Sequence, residues 1–183
     1  MTIENTFIDG LKIIIPEVFG DNRGWFFESY SEKKFADKGI HIAFVQDGHS
    51  FSAKKGVLKG LHFQLYPMAQ AKLVRCTQGR LLDVAVDLRS CSPTYKKWFS
   101  IELSKDNKKQ LLIPRGFAHG FLALADNTEV QYKLDNLYSK EHDRSIRYDD
   151  SEINIDWGYT GELTISDKDM NAPFFADSDV DFK

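Results

Sequence analysis

The feature that most restricts the fold of this chain is a series of short apolar segments separated by turn residues. Between residues 40 and 134 the segments are rich in Val, Ile, Leu and Phe, with Gly, Asn or Asp between them. In several segments apolar and polar residues alternate, as where Leu61 and Phe63 alternate with His62 and Gln64. Regularly spaced short strands of this kind are typical of a β-sandwich or β-barrel. The sequence therefore predicts a mostly β fold.

Predicted strands account for most of the first three quarters of the chain. Pro16 closes the first strand and lacks a backbone N–H, so this strand is expected to be an edge or exchanged strand. The chain beyond Tyr138 is more polar and irregular. Besides the segment around Leu61, strands are predicted over residues 11–16, 25–30, 42–46, 71–77, 80–88, 97–103, 110–113, 117–124 and 128–134.

One clear helix interrupts the strands in the first two thirds of the chain. It is predicted over residues 32–38, because Ser31 can serve as its N-cap and Gly39 follows its end. Residues 19–24 and 47–50 are rich in Gly, Asp and Asn and are predicted to form turns. No repeat, low-complexity segment or linker divides the sequence. We therefore expect a single domain over residues 1–183, with a few short peripheral helices.

Composition narrows the possible partners and the compartment. The formal net charge of −3 gives no general attraction for nucleic acid. No apolar run approaches the roughly 20 residues of a membrane span, and the first residues lack the pattern of a signal peptide. Cys76 and Cys91 do not have the spacing of a metal site. The expectation is a cytoplasmic protein that binds neither nucleic acid nor membrane.

Two histidines stand in segments that resemble the two sequence motifs of the cupin superfamily. His62 follows Gly56 in a Gly-x5-His pattern, and His119 ends a Pro-x-Gly-x-x-His pattern. Metal-binding cupins carry a second histidine two residues after the first, but here Gln64 takes that place. Residues 65–71 supply no carboxylate, and zinc, iron or manganese need three or four converging ligands. We therefore predict a barrel without a metal ion.

A pocket without metal that contains His62, Lys72, His119 and Tyr132 would suit proton-transfer chemistry. Histidine is the side chain closest to a usable base at neutral pH, a lysine can stabilise a developing enolate, and a buried phenol can return a proton. Each residue also has an ordinary structural interpretation: a surface or hydrogen-bonded interior histidine, a lysine at the barrel rim, a core aromatic, or a turn histidine. Spacing alone does not identify the carboxylate that would orient the imidazole.

Eight segments of the chain have a specific order and spacing: PEVFGDNRGWFFESY, FVQD, GVLKGLHFQ, AQAKLVR, DVAVDLR, SPTYKKW, LSKDNKKQLLIPRGFAHGF and ISDKD. Through them the chain resembles the dTDP-4-dehydrorhamnose 3,5-epimerase family over nearly its full length. The resemblance implies a homodimeric jelly-roll cupin without metal or organic cofactor. It also implies binding of dTDP-4-dehydro-6-deoxyglucose and inversion of carbons 3 and 5 by proton abstraction next to the ketone.

The same resemblance implies a role for each site residue. His62 would be the base and Asp169 its orienting partner, while Lys72 would stabilise the enolate oxygen and Tyr132 would return the proton. His119 would contact the sugar or its diphosphate, and Tyr138 would stack on thymine. The remaining substrate-binding positions are Arg23, Glu28, Gln46, Lys59, Asp143 and Lys168.

Several positions depart from the family pattern. The family usually carries Asn at the position of Gly48, Arg at Lys59 and Glu at Asp143, and departures also occur at Tyr148 and Gly158. These changes leave the reaction class intact and leave open the nucleotide base, the sugar and which carbons are inverted. The alternatives are a mono-epimerase of a related nucleotide 4-keto-deoxysugar and a non-catalytic nucleotide-sugar-binding cupin. A metal-dependent cupin enzyme comes last.

Overall fold

The computed structural model describes residues 1–183 and consists of thirteen strands with two short α-helices and one 3-10 helix. The strands are β1 (Thr2–Asn5), β2 (Lys12–Ile15), β3 (Phe19–Asp21), β4 (Gly24–Phe26), β5 (Gln46–Ser52), β6 (Leu58–Gln64), β7 (Lys72–Gln78), β8 (Arg80–Asp87), β9 (Trp98–Ser104), β10 (Gln110–Ile113), β11 (Phe117–Ala123), β12 (Thr128–Leu134) and β13 (Asp143–Ser145). The helices are α1 (Glu32–Ala36), α2 (Asp167–Met170) and the 3-10 helix Phe175–Asp177.

Two antiparallel sheets form the body of the protein. The six-stranded sheet has the order β1-β2-β10-β7-β12-β5, and the five-stranded sheet has the order β13-β6-β11-β8-β9. Apart from β1–β2 and β8–β9, neighbours in each order are not consecutive in the chain, so chain connections pass repeatedly between the sheets, as in a jelly roll. Strands β3 and β4 form a separate hairpin. The prediction of a mostly β jelly roll with a few short helices is confirmed.

The main hydrophobic core lies between the two sheets. It contains Val74 and Val130 from the six-stranded sheet and Ala85 and Phe121 from the five-stranded sheet, all at most 5% exposed. Tyr132 packs against this core from β12. Complete burial of a Val or Phe side chain stabilises the folded state by about 1.5–3 kcal/mol relative to leaving that side chain exposed. This packing fixes the spacing of the two sheets.

Two further clusters cover the outer faces of the sheets. Behind the five-stranded sheet, residues after β13 supply Ile153 and Phe175, which pack with Phe63 and Leu88. Behind the six-stranded sheet, Phe35 of α1 packs with Ile14, Leu73 and Leu112. The tail that looks irregular in the sequence is therefore the outer layer of the barrel. None of the helices is long and apolar enough to cross a membrane.

Most predicted strands agree with the structure, and the largest error lies before β6. Strands β10 and β12 have the predicted limits, β8 and β11 differ by one residue at one end, and β7 and β9 differ by one residue at both ends. Residues 42–46 were expected to be a strand and residues 47–50 a turn, but β5 runs through the latter, Gln46–Ser52. Seven residues of β5 pair with β12, because tertiary pairing outweighs the local preference of Asp47, Gly48 and Ser50.

Three other local predictions need correction. The strand before Pro16 is paired on both sides, by β1 and β10, so it is not an edge; Pro16 lies just beyond it and removes no ladder hydrogen bond. Only Trp25 and Phe26 of the predicted strand 25–30 lie in a strand, β4, and β4 pairs with residues of the predicted turn. The helix ends at Ala36, although Ser31 caps it as predicted by accepting a bond from the Lys34 N–H.

Phe182 should anchor the tail to the outer face of the barrel. It is 2% exposed and packs edge-on against Phe63 and Tyr66. Phe182→Ala should lower the free energy of unfolding by about 3–5 kcal/mol, because a buried aromatic is lost and a cavity remains. Urea unfolding measures this change.

Phe174 is a matched control, because it lies in the same tail and is 45% exposed. Phe174→Ala should change the free energy of unfolding by no more than about 0.5–1 kcal/mol. Equal losses for both variants would contradict a specific anchoring role for Phe182.

Candidate active site

A cavity of about 520 Å³ opens between the two sheets. Phe121 belongs to the core and also lines the cavity, so the cavity begins where the core ends. Strands β5, β7 and β12 of the six-stranded sheet form one wall, and β6 and β11 of the five-stranded sheet form the other. The sequence-predicted residues that line it are Gln46, Lys59, His62, Lys72, His119, Tyr132, Tyr138, Asp143 and Lys168.

His62 on β6 forms a hydrogen-bonded pair with Asp169 of α2. The distance from His62 Nε2 to Asp169 Oδ1 is 2.7 Å. The side chain of His62 is 34% exposed, whereas that of Asp169 is 3% exposed. Because a carboxylate only accepts hydrogen bonds, Nε2 carries the hydrogen and Nδ1 is the basic nitrogen. This pair gives the imidazole the orientation and tautomer of a general base.

Asp169 is held as a carboxylate by its hydrogen bonds. Burial alone would raise its pKa, but the hydrogen bond and charge of His62 together with the Gly60 N–H outweigh burial, and the pKa lies below its ordinary value. The Gly60 N–H donates to Oδ2 at 3.2 Å. Ser166 caps α2 by accepting from the Asp169 N–H. Asp169 is therefore available as a negative partner for His62 at neutral pH.

A second histidine–aspartate pair lies beside the first. His119 on β11 stands directly opposite His62 on β6, and its Nε2 is 2.8 Å from Asp83 Oδ1 on β8. His119 is 8% exposed and Asp83 is fully buried. Burial lowers the pKa of His119, although Asp83 opposes this effect. A neutral His119 is suited to hydrogen bonding with a ligand rather than to exchanging protons with solvent.

Asp83 is a site residue that the sequence analysis missed. It lies on the inward face of β8 together with Ala85, and its Oδ2 has no hydrogen-bond partner although it is buried. A buried carboxylate oxygen without a partner is unusual outside functional sites. The available signal was the alternation of Asp83, Ala85 and Asp87 with Val84 and Val86, which puts an acidic residue on a face that is otherwise apolar.

Lys72 brings a positive charge into the cavity from β7. Its Nζ lies 3.4 Å from the backbone oxygen of His62. Burial lowers the pKa of Lys72 to about 8, against the opposing charges of Asp83 and Asp143. The ammonium therefore predominates at pH 7, in a poorly solvated position where a positive charge stabilises a developing anion strongly.

Tyr132 reaches the cavity from the wall opposite His62. It lies on β12 of the six-stranded sheet, whereas His62 lies on β6 of the five-stranded sheet, and both line the cavity. A flat substrate between the sheets would present one face to the imidazole and the other to the phenol. The barrel thus places an imidazole and a phenol on opposite walls of one cavity.

The rim of the cavity carries a polar network. Asp143 Oδ2 accepts from Lys168 Nζ at 2.6 Å and from the Tyr138 hydroxyl at 3.3 Å. The Tyr138 N–H donates to Gln46 Oε1 at 3.0 Å, and the Tyr138 side chain stays exposed. Lys59 Nζ lies 2.6 Å from Ser50 Oγ. Two lysines and one accessible aromatic ring therefore meet at the cavity mouth.

Asp169 reaches the cavity only through its bond to His62, and Arg23 and Glu28 are the predicted site residues that neither line the cavity nor contact a residue that does. Arg23 lies in the turn between β3 and β4, where it pairs with Asp21 and is highly exposed. Glu28 pairs with Lys34 of α1 at 3.1 Å. Within one chain, the structure does not bring either residue together with the other predicted site residues.

Gln64 occupies the place of the second histidine in metal-binding cupins, and its amide is fully used by the backbone. Its Nε2 donates to the oxygens of Met68 and Leu137, and its Oε1 accepts from the Ser139 N–H. The structure contains no group of three or more His, Cys, Asp or Glu side chains arranged to hold a metal ion. Gln64 therefore holds the loop that carries Tyr138 in place through hydrogen bonds to its backbone.

The lowered pKa of Lys72 predicts a specific pH dependence of stability. The pKa of Lys72 is about 8 in the folded protein, against 10.5 for an unperturbed lysine. Between these two pH values the unfolded chain therefore binds more protons than the folded protein. The free energy of unfolding of the wild type should therefore rise relative to that of Lys72→Met as pH increases from about 8 to about 10. Urea unfolding of both proteins across this range measures the difference.

Lys105→Met is a matched control at an exposed lysine of the turn after β9. Its free energy of unfolding should follow that of the wild type in parallel through the same pH range. If the free energy of unfolding of Lys72→Met also ran parallel to that of the wild type through this pH range, the fold would not disfavour the Lys72 ammonium.

Known proteins share the sequence and the architecture around this site. A sequence profile described as dTDP-4-dehydrorhamnose 3,5-epimerase matches residues 5–177. The dTDP-4-dehydrorhamnose 3,5-epimerase of Shigella flexneri is 51% identical over 180 residues, 98% of each chain. The crystal structure of the enzyme of the same name from Elizabethkingia anophelis has a TM-score of 0.91 at 47% identity and covers 97% of each chain.

A further solved structure carries a ligand. It is the dTDP-6-deoxy-D-glucose-3,5-epimerase of Legionella pneumophila in complex with dTDP-4-keto-L-rhamnose. Its TM-score is 0.93 at 44% identity, covering 97% of the present chain and 94% of the Legionella chain. Sequence and fold agree over almost the entire chain, including the strands and the short helix that carry the two histidine–aspartate pairs. The chain belongs to the dTDP-4-dehydrorhamnose 3,5-epimerase family.

Proposed function

We propose that this protein inverts carbons 3 and 5 of dTDP-4-dehydro-6-deoxy-D-glucose and so forms dTDP-4-dehydro-L-rhamnose. The observation that carries the proposal is the position of an oriented base, His62, and a phenol, Tyr132, on opposite walls of one cavity. Inversion of a carbon requires removal of hydrogen from one face and return to the other. The related Legionella enzyme, solved with dTDP-4-keto-L-rhamnose, supports this choice of substrate.

Proton removal is assigned to His62. Hydrogens on carbons 3 and 5 are acidic because both carbons adjoin the ketone at carbon 4. His62 Nδ1 takes the proton, and the electron pair of the C–H bond moves into the enolate. The imidazolium is stabilised by the Asp169 carboxylate at 2.7 Å. Lys72 stabilises the negative oxygen at carbon 4, which develops in a poorly solvated site.

Proton return is assigned to Tyr132. Its phenol gives a proton to the opposite face of the carbanion, and the C–H bond re-forms with inverted configuration. His62 then loses its proton to water, which its 34% exposed side chain can reach, and Tyr132 regains one. The same sequence inverts the second carbon, so no cofactor is consumed and no atom is transferred to or from the protein.

We assign binding of the nucleotide end of the substrate to the residues at the rim of the cavity. Lys59 and Lys168 supply positive charge for the diphosphate, and the exposed ring of Tyr138 can stack on the thymine. Gln46 and Asp143 orient Tyr138 and Lys168 through hydrogen bonds. His119 contacts the sugar or its diphosphate from beside His62. A single cavity thus takes both ends of a nucleotide sugar.

We further propose that the protein works as a homodimer in the cytoplasm. The hairpin of β3 and β4 exposes Phe19, Trp25 and Phe26, each at least 58% accessible. Contiguous exposed aromatic side chains are typical of interaction surfaces. Docking of this hairpin on a second copy would reconcile the predicted substrate-binding role of Arg23 and Glu28 with their distance from the cavity of their own chain. Both cysteines are free, as is usual in a reducing compartment.

His62→Ala tests the proposed base. Turnover of dTDP-4-dehydro-6-deoxy-D-glucose should fall by at least about 10²-fold, the lower range for loss of general acid–base catalysis. His41→Ala is a matched control, because His41 is exposed and does not line the cavity. It should retain wild-type turnover. An active His62→Ala enzyme would show that another group removes the proton.

Proton NMR in deuterium oxide distinguishes the proposed reaction from its alternatives. Solvent deuterium should enter both carbon 3 and carbon 5, because each carbon is deprotonated in turn. Deuterium at one carbon alone would identify a mono-epimerase. Binding of the substrate without any exchange would identify a non-catalytic nucleotide-sugar-binding protein.

Mixing two inactive variants tests whether Arg23 acts in a partner's cavity. Arg23→Ala and His62→Ala each damage both sites of their own homodimers. In a mixed dimer, one site combines an intact His62 from one copy with an intact Arg23 from the other, so co-expression should restore activity at one site of two. Sedimentation of the wild type as a monomer would contradict the dimer, and an absence of restored activity would place Arg23 outside the partner's site.

A further inference from the structure

Three glutamine side chains converge on the loop that follows β12. The loop comprises residues 136–139, carries the exposed Tyr138 ring and leads toward β13. The glutamines come from three separate segments of the chain, and all of them line the cavity. They are Gln46 of β5, Gln64 of β6 and Gln70, which lies two residues before β7.

Every residue of this loop is bonded to a glutamine through its backbone. The bonds run from Gln70 Nε2 to the Asn136 oxygen (2.8 Å), from Gln64 Nε2 to the Leu137 oxygen (3.1 Å), from the Tyr138 N–H to Gln46 Oε1 (3.0 Å) and from the Ser139 N–H to Gln64 Oε1 (2.6 Å). Backbone groups of surface loops are commonly bonded to water, and such loops are more mobile than the strands they connect. Here three side-chain amides take the place of that water on the side of the loop that faces the cavity.

The glutamines order the loop backbone without occupying the Tyr138 ring. Gln64 is itself fixed, because it is 4% exposed and its second amide hydrogen goes to the Met68 oxygen at 2.6 Å. The Tyr138 ring is 57% exposed, and its hydroxyl lies 3.3 Å from Asp143 Oδ2. The backbone of residue 138 is therefore held from within, while the ring stays available to a ligand.

We propose that Gln64 and Gln70 are positioning residues for nucleotide binding: together with Gln46 they order residues 136–139, so that the Tyr138 ring stands at the cavity mouth before a ligand arrives. This inference rests on the proposed function, in which Tyr138 stacks on thymine. A binding loop that is already ordered loses less conformational freedom when its ligand binds, and this raises the affinity. The glutamines therefore act on the affinity for the nucleotide.

The proposed chemistry is held by other contacts. The His62 imidazole is bonded to Asp169 of α2, and Lys72 Nζ lies 3.4 Å from the backbone oxygen of His62, so neither group depends on a bond to residues 136–139. Weakening the loop should thus raise the KM for the nucleotide sugar and leave kcat nearly unchanged.

Gln70→Met tests the proposal by calorimetric titration with dTDP. Methionine keeps the length of the side chain and removes the donor to the Asn136 oxygen. The Kd for dTDP should rise by about 2- to 10-fold, the range that corresponds to one net hydrogen bond. The KM should rise by the same factor, with kcat within about twofold of the wild type. An unchanged Kd, or a loss confined to kcat, would overturn the proposal.

Gln78→Met is a matched control, because Gln78 is an exposed glutamine at the far end of β7 and does not line the cavity. It should bind dTDP as the wild type does. An equal rise of the Kd in Gln78→Met would show that the effect does not come from the loop, and would overturn the proposal.

The Tyr138→Ala background shows whether Gln70 acts through the ring. Without the ring, adding Gln70→Met should cause no further loss of dTDP affinity, since the group that the loop positions is already absent. A loss of the same size as in the wild-type background would mean that Gln70 acts on the nucleotide independently of Tyr138, and would overturn the proposal.

Amide hydrogen exchange tests the ordering of the loop in the free protein. Gln70 touches neither the Tyr138 N–H nor the Ser139 N–H, which are bonded to Gln46 and Gln64. In Gln70→Met both amides should nevertheless exchange at least about twofold faster, while the amides of β12 keep the wild-type rate and so report an intact fold. Unchanged exchange of both loop amides would overturn the proposal.

Gln70→Glu keeps the shape of the side chain and also loses the donor, so it serves the same exchange experiment if methionine is not tolerated at this position. Failure of the proposed function is a separate result. It would appear as a wild-type protein that fails to invert the sugar, whatever the exchange rates of the loop amides.

Discussion

The hydrogen bond between His62 and Asp169 is the interaction on which the active site depends. It joins a central strand of the five-stranded sheet to a short helix 107 residues further along the chain. Burial makes the Asp169 charge costly, and the His62 and Gly60 donors offset that cost. Hydrogen bonds to charged groups contribute about 1.5–3 kcal/mol each, so this contact also holds the tail against the barrel. One contact thus sets the tautomer of His62, the proposed base, and holds the helix that carries Asp169 against the barrel.

The two histidines are separated in function by their exposure. His62 is partly accessible and can exchange its proton with water, as the proposed role of a base requires. His119 is enclosed with Asp83, and burial lowers its pKa, which suits a neutral hydrogen-bonding role. Lys72 stands near both pairs and keeps its charge at pH 7 although burial lowers its pKa. Neighbouring side chains of similar chemistry therefore perform different tasks because the barrel gives them different solvation.

Much of the barrel could be predicted from the sequence, because alternating residues report directly on which face of a strand is buried. The strands β7 to β12 follow from this alternation. Strand β5 could not be predicted in the same way, since Asp47, Gly48 and Ser50 have turn preferences and their extended conformation depends on pairing with β12. The tail contains few apolar periodic segments, and its packing behind the sheet depends on single residues such as Phe182.

The site could be predicted in part. His62, Lys72 and Tyr132 stand on strands whose inward faces can be read from alternation, and the cavity brings them together. Asp169 was assigned by resemblance alone, because nothing local to residue 169 indicates a contact with residue 62. Asp83 was overlooked because its partner, His119, lies on a different strand. Arg23 and Glu28 lie on elements outside the cavity, so their roles depend on contacts beyond one chain.

Because Asp169 lies near the end of the chain, it is synthesised long after its partner, His62. A nascent chain that has reached Leu134 already contains every strand of the six-stranded sheet, together with His62, Lys72 and Tyr132. It still lacks Asp169, which bonds the His62 imidazole, and the aromatic residues Phe175 and Phe182, which cover the outer face of the five-stranded sheet. The segment that completes the proposed site is therefore the last part of it to be synthesised, after the strands that carry His62, Lys72 and Tyr132.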